Sequence, residues 1–356
     1  MHFKRGLTPL WRSEHETQIG FEPRIARRLT LNDPSEHALV AALTIEHTLP
    51  QLRGVLIRAH ADPARAEAIV GELADSGVLH ISPRATSRTG VPPGAREMLS
   101  PAAESRALLR DDDGWPTVAK LIESTVHVVG LGRTGARIAV TLAASGIGHL
   151  RLTDSRPVTP RDCGTDYDTH DVGKPRDAVI KARIRTIPGS RVIASGPATE
   201  DDATVLVDTD VCDIVRARDL VFHSVPHLSV VLSEISGTVG PWVTPGAGPC
   251  LRCLALHRTD EDPAWPGMAT QVSVKSAVAA RGEDPALAGL IGSYAAAQVV
   301  CALTGHRPPC AETTIAFHLP DYTTSAIRWT PHPECGCIAP PADGDVAFDE
   351  PVTTTA

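Results

Sequence analysis

Between residues 7 and 80 the apolar positions change period twice. Thr17-Gln18-Ile19-Gly20-Phe21 alternates polar and apolar, as a half-buried strand does, and Ile25 to Leu31 predicts a second strand. Three helices follow. Asp33-Pro34 sets a capping acid before a proline, with Glu36 placed to complete a capping box, and Leu39 and Leu43 repeat at i,i+4. Thr48 opens a second helix carrying Leu49, Leu52 and Leu56. Asp62-Pro63 opens a third carrying Ala66, Ile69, Val70 and Leu73, which Gly77 ends before Val78-Leu79. Short strands and three short helices predict a small winged-helix-like α+β domain over 7–80.

Residues 81–117 break this pattern. Ile81 to Gly94 is rich in Ser, Thr, Pro and Gly without an apolar period, and Arg110 to Gly114 is a charge run, so 81–117 predicts a flexible linker. From 118 to 338 the pattern is α/β. Thr125-Val126-His127-Val128-Val129 is a buried-type strand, Ile138, Leu142 and Ile147 follow at near-helical spacing, and His149 to Thr153 is a second strand. The stretch 339–356, with Pro340, Pro341, several acids and Thr353 to Thr355, predicts a disordered tail.

The chain has 356 residues, 42% apolar and 21% charged, enough for two domains with cores. Its net charge of −8 argues against non-specific nucleic-acid binding, which needs a basic face. The sequence holds no run of 18 uncharged apolar residues and no secretory h-region after Met1 to Arg5, which predicts a cytoplasmic protein without a membrane span.

The first strand of the α/β segment runs into Gly130-Leu131-Gly132-Arg133-Thr134-Gly135, a helix follows, and the next strand ends in Asp154. This is the context in which G-x-G-x-x-G binds a nucleotide. Gly130 permits the tight turn, Gly132 lets backbone N–H groups approach a phosphate at the helix N-terminus, and Gly135 lets helix and strand pack. Asp154 would bond a ribose hydroxyl. The bland alternative is a glycine-rich turn that binds nothing.

The stretch from Leu142 through Gly146-Ile147-Gly148 to Asp154, then Val158, then Asp171-Val172-Gly173-Lys174-Pro175, resembles the ThiF/MoeB family of adenylyltransferases, relatives of ubiquitin-activating enzymes. The resemblance implies a Rossmann-like ThiF-type nucleotide-binding domain over 118–338. It also implies ATP-dependent adenylation of a protein C-terminal carboxylate, with a carboxylate holding Mg²⁺. Residue by residue the equipment departs from the family. Its Asn, Arg and Gln are expected near Pro160, Cys163 and Gly164, its Lys aligns with Arg176, and its Mg²⁺ acid is expected within Leu220 to His227, which holds none. The implied ATP site is therefore degenerate, and whether ATP binds, or the chain is an enzyme at all, stays open. His223 and His227 could stand in for the missing acid, although loop histidines are more often hydrogen-bonded.

Four of the eight cysteines cluster: Cys250-x-x-Cys253 and Cys335-x-Cys337. Two knuckles from distant segments suit a closed tetrahedral thiolate site for structural Zn²⁺, and ThiF/MoeB relatives carry cysteine pairs at these points. His332 beside the second pair would be a supporting group or alternative ligand. Cys163, Cys212, Cys301 and Cys310 read as inert, and Trp242, Trp265 and Trp329 as core or interface residues.

Residues 7–80 resemble, more loosely, PqqD-like recognition elements, through Gln18 to Phe21, the second strand, the three helices and Leu73 to Leu79. That resemblance implies a leader peptide adding as a strand beside Ile25–Leu31, against the third helix with Ile69. Arg24, Arg27 and Arg28 would favour an acidic peptide. A PqqD-like element before a degenerate ThiF-like domain is similar to the leader-binding partners of YcaO-type cyclodehydratases. It implies a scaffold that presents a precursor to that enzyme, and the ThiF-like part implies a homodimer. The alternative is a true adenylyltransferase acting on a ubiquitin-like protein or a peptide.

Overall fold

The computed structural model describes residues 1–81, 90–110, 112–194, 196–278 and 282–338. The chain forms two compact units. One gathers Met1–Ser124, Thr141–Leu150 and Lys181–Ile193; the other gathers Thr125–Val140, Arg151–Ile180 and the chain from Ala194 onward.

The first unit begins with β1 (His2–Phe3), β2 (Pro9–Ser13), β3 (Glu16–Ile19) and β4 (Arg27–Thr30). Helices α1 (His37–Ala42), α2 (Leu49–Arg58) and α3 (Arg65–Asp75) follow, and β5 (Leu79–His80) returns to pair antiparallel with β1. Strands β2, β3 and β4 form a separate antiparallel sheet in that order. Leu29, Leu31, Leu39, Leu52, Leu56, Ile69 and Leu73 share one core. The two expected strands are β3 and β4; β1, β2 and β5 were not legible, being short or, in β2, mostly exposed. The expected Asp33–Glu36 capping box does not form. Asp33 caps a single 3₁₀ turn by accepting from Ser35 N, while Glu36 is 1% exposed and bonds Arg65 Nε at 3.0 Å and Asn32 N at 3.0 Å. Thr48 and Gln51 do make a capping box on α2.

Residues 81–117 are not a flexible linker throughout. Residues 82–89 lie outside the described part, but α4 (Pro93–Ala107) and α5 (Trp115–Glu123) are helices. Ala95, Leu99 and Ala103 repeat at i,i+4 and pack with Trp115, Val118 and Ile122 in a core of their own. The Ser- and Pro-rich run upstream masked that repeat, and Pro101 sits inside α4. The boundary expected at 118 falls at 124, because 141–150 groups with α5: a Cβ at Gly148 would lie 1.7 Å from the Ile122 carbonyl. The expected tail, 339–356, lies outside the described residues.

The remaining elements are β6 (Thr125–Val129), α6 (Arg133–Ala144), β7 (His149–Thr153), α7 (Arg176–Ile184), β8 (Arg191–Val192), β9 (Ala203–Thr209), α8 (Ile214–Phe222), β10 (His227–Leu232), β11 (Ser236–Val243), α9 (Leu251–Glu261), α10 (Trp265–Val278), α11 (Pro285–Leu303), β12 (Thr313–His318) and β13 (Thr323–Arg328). One sheet orders its strands β13-β12-β11-β10-β9-β6-β7-β8. Pairs β6–β9, β9–β10 and β7–β8 are parallel, whereas β10 to β13 pair antiparallel. This is a Rossmann-like parallel half with an antiparallel extension, so the C-terminal ends of β6 and β9 open on one edge. Helix α11 is long and apolar enough to cross a membrane, yet half of it is buried, and Ile291 packs against Gly237 of β11.

Candidate functional site

Strand β6 delivers the chain into the glycine turn at the N-terminus of α6. Gly130 has φ +87°, and a Cβ there would stand 2.3 Å from Val207 O. A Cβ at Gly135 would stand 1.8 Å from Gly130 O, so neither position admits a side chain without moving backbone. At Gly132 the obstacle is different: a Cβ would stand 1.9 Å from Glu283 Oε1. The other oxygen, Glu283 Oε2, accepts from Thr134 N and Thr134 Oγ1, both at 2.7 Å. Burial raises the Glu283 carboxyl above its ordinary range, with the two Thr134 bonds opposing. Glu283 also borders a small cavity with Thr209, Ser233, Asp284 and Leu287, of about 30 Å³, room for a water.

Asp154, at the end of β7, is 6% exposed, and both its oxygens are engaged. Oδ2 accepts from Leu131 N at 2.9 Å, Arg156 Nη2 at 2.8 Å and Arg176 Nη1 at 3.2 Å; Oδ1 accepts from Arg156 N at 3.1 Å and Arg156 Nε at 2.8 Å. Burial alone would raise this carboxyl, but hydrogen bonds from Arg156 and Leu131 N, with the charges of Arg156 and Arg176, hold it below the usual carboxylate range. Arg176, 4% exposed, spends Nη2 on both oxygens of Asp162. Tyr167 is fully buried and donates its hydroxyl to Leu131 O at 2.7 Å. The five residues expected at a nucleotide therefore do converge, but Asp154 and Arg176 meet each other.

The expected acid-free loop at 220–227 is the wrong place to look. Those residues are the end of α8, a turn and the start of β10. The fourth strand of the Rossmann half is β9, whose penultimate residue is Asp208 and which Asp210 follows. Burial pushes the Asp208 carboxyl up to about 6, against a hydrogen bond from Asp213 N. An acid thus stands at the C-terminal end of the fourth strand. His227 cannot replace it: the ring is wholly buried, with Nδ1 bonded to Val225 O at 3.0 Å, and His223 is exposed beyond α8. Pro160, Cys163 and Gly164 belong to the loop after β7, which Arg133 holds through Nε to Arg161 O at 2.7 Å and Nη2 to Cys163 O at 2.5 Å. Asp162, Tyr167, Arg133, Asp208 and Glu283 were not singled out in the sequence. The Asp-Thr-Asp triplet after an apolar run was a usable signal for Asp208; Glu283, 149 residues from Thr134, offered none.

The four clustered cysteines come together. Cys250 Sγ lies 3.9 Å from Cys253 Sγ and 3.4 Å from Cys335 Sγ, and Cys253 Sγ lies 3.3 Å from Cys337 Sγ. All four sulfurs fall within 4.8 Å of one another. A tetrahedral thiolate site with metal–sulfur bonds of about 2.3 Å puts its sulfurs about 3.7 Å apart, so the set fits a metal. Burial pushes the Cys337 thiol up to about 11, helped by its bond to Cys253, and a cation would reverse that cost. His332 is turned away: Nε2 bonds Asp260 Oδ2 at 2.9 Å and Nδ1 accepts from Glu334 N at 3.1 Å. Trp242 and Trp329 are buried and Trp265 half-buried, stacked by Arg258 at 4.8 Å.

In the first unit, β4 is an edge strand. Leu31 N donates to His15 O, and Thr17 faces Leu29 across the ladder. Because inward and outward bonding alternates along a strand, Arg28 and Thr30 present their N–H and C=O groups to the open edge. Arg27 and Arg28 are exposed. Arg24 pairs with Glu22 at 2.8 Å. Ile69 is not a surface contact: it is 0% exposed in the core, on the inward stripe of α3 with Ala66, Val70 and Leu73. Phe21, 85% exposed beyond β3, was missed as a surface group.

A family model described as ThiF family matches residues 105–337. The chain belongs to the ThiF family. It is 26% identical over 222 residues to the sulfur carrier protein ThiS adenylyltransferase of Escherichia coli strain K12, across 58% of this chain and 83% of that one. It is 24% identical over 245 residues to the SAMP-activating enzyme E1 of Haloferax volcanii, across 65% of this chain and 86% of that one. Among solved structures, E. coli MccB with ATP superposes with a TM-score of 0.64 at 14% identity, over 95% of this chain and 99% of that one. E. coli MccB with selenomethionine MccA gives 0.65 at 14% identity over the same shares. Selenomethionine PaaA gives 0.69 at 17% identity, over 91% of this chain and 98% of that one. These structures share the fold, and their coverage reaches past the family match into the N-terminal unit.

Proposed function

We propose that this ThiF-family chain binds a precursor or leader peptide along β4 and presents it to a modifying enzyme, a YcaO-type cyclodehydratase or an enzyme of similar role, in the cytoplasm and as a homodimer. One observation carries the reading. The outward backbone groups of Arg28 and Thr30 lie open on an edge strand beside exposed cations, while Asp154, Asp162 and Arg176 beside the glycine turn are paired with one another. An extended peptide gains main-chain bonds at such an edge, and acidic side chains gain from Arg27 and Arg28. That MccB of the same fold has been solved with MccA supports it. We further propose that Cys250, Cys253, Cys335 and Cys337 hold a structural Zn²⁺, which would tie the start of α9 to the segment after β13. The test is titration of the full chain with leader segments of short peptides encoded beside it. Saturable binding weakened several-fold by Arg28→Glu supports the reading; saturable binding indifferent to β4 changes refutes it.

A second reading, an adenylyltransferase of a ubiquitin-like or peptide carboxylate, is favoured by Asp208 and Asp210 at the end of β9 and by the two curated relatives. ATP–pyrophosphate exchange separates the two. Robust carboxylate-dependent exchange establishes the second, and its absence with peptide binding intact leaves the first.

A further inference from the structure

The phosphate seat of this fold is the backbone of the glycine turn and the first N–H groups of α6, which carry the positive end of the helix dipole. A ligand bound there would lie over Gly132, where the missing side chain lets it reach the backbone, and would accept from Thr134. Glu283 does both: Oε1 stands where a Cβ on Gly132 would collide, and Oε2 takes both the N–H and the hydroxyl of Thr134. We propose that Glu283 is a built-in phosphate mimic that occupies the seat and must leave before any nucleotide can enter.

Three observations make this more than a helix cap. A capping side chain ordinarily comes from the residue just before its helix, whereas Glu283 comes from 149 positions away. Its neighbour Asp284 caps a different helix, α11, by accepting from Leu287 N at 2.9 Å, so the dipeptide Glu283-Asp284 closes two helix ends at once. Finally, two nearby cations are already neutralised, Arg176 by Asp154 and Asp162 and Arg156 by Asp154, and Arg133 is turned to the Arg161 and Cys163 carbonyls. An anionic nucleotide would therefore meet a carboxylate in its seat, with Arg156 and Arg176 already committed to acids. The carboxylate and a phosphate are alternatives at one place, so removing the first should uncover affinity for the second. This inference concerns residues 130–135 and 283 alone and does not depend on peptide binding by β4.

Titration of the full-length protein with ATP and Mg²⁺ tests it. The native chain should show no saturation below millimolar ATP, Glu283→Ala should bind at least tenfold more tightly, and Glu283→Gln, which keeps the bulk and loses the charge, should fall between. Micromolar binding by the native chain, or a folded Glu283→Ala that binds no better, overturns the proposal. A stability cycle reads the contact without nucleotide. Gly132→Ala should destabilise the native chain by collision with Glu283 and cost clearly less in the Glu283→Ala background; equal costs in both refute the contact. Glu283→Asp, which withdraws the carboxylate by one methylene, replaces Glu283→Ala if the latter does not fold.

Discussion

Arg176 Nη2 lies 2.8 Å from both carboxylate oxygens of Asp162, and the same guanidinium reaches Asp154 through Nη1. All three groups are buried, so the arginine is the counter-charge on which two desolvated acids depend. Removing one partner of a buried pair leaves an uncompensated charge and costs about 3–5 kcal/mol. Arg176→Ala should therefore destabilise the chain by that order in denaturant unfolding, and Asp162→Asn in that background should restore part of the loss. A loss under 1 kcal/mol for Arg176→Ala would show the network to be incidental.

The thiolate cluster predicts one zinc per chain, measurable by elemental analysis of the purified protein. Cys335→Ser should lower the metal content and the unfolding temperature together, because metal bonds would link the start of α9 to the segment after β13. Full stability without bound metal would leave the sulfurs as mere neighbours.

The β4 edge predicts an asymmetry between adjacent residues. Thr30→Pro removes an outward N–H and should abolish peptide binding with little loss of fold, since the ladder to β3 does not use that donor. The same change at Leu29 removes an inward N–H and should unfold the sheet. Affinity should fall as salt rises from 0.05 to 0.5 M, by the charge screening that Arg27 and Arg28 imply (roughly several-fold). Binding unaffected by Thr30→Pro would place the peptide elsewhere.

Much of this was legible locally. The strand–glycine–helix run from Thr125 to Ala144 carries its own geometry, because Gly130 and Gly135 answer to backbone atoms that the turn itself and the neighbouring strand bring close. The cysteine pairs announce themselves by spacing. Legibility failed where a residue's partner is remote. Glu36 reads as a cap until Arg65 is seen beside it, and nothing near Glu283 marks it as the occupant of a turn 149 residues away. It failed also where alignment replaced topology. Spacing alone puts Leu220 to His227 after the fourth strand, whereas pairing of β9 between β6 and β10 makes β9 that strand, with Asp208 at its end. The α4 repeat of Ala95, Leu99 and Ala103 is hidden by the Ser- and Pro-rich run before it.

His227 gives the chain a pH dependence of predictable sign. The ring is wholly buried in β10, Nε2 has no hydrogen-bond partner among the described residues, and burial lowers its pKa to about 4 against the bond to Val225 O. In the unfolded chain the same imidazole titrates near 6.5, so between about 6.5 and about 4 the unfolded state binds the extra proton. Stability from this group is fully present above about 6.5 and is lost as pH falls through that window. Moving from pH 7.5 to pH 5 should cost about 2 kcal/mol, at about 1.4 kcal/mol per pH unit over some 1.5 units. His227→Gln cannot titrate, so its denaturant stability should be lower at pH 7.5, for the lost fit, yet fall about 2 kcal/mol less on acidification than that of the native chain. Parallel pH profiles for the two proteins would mean that His227 takes up its proton in the fold as readily as in the unfolded chain, and would place a counter-ion or water at Nε2.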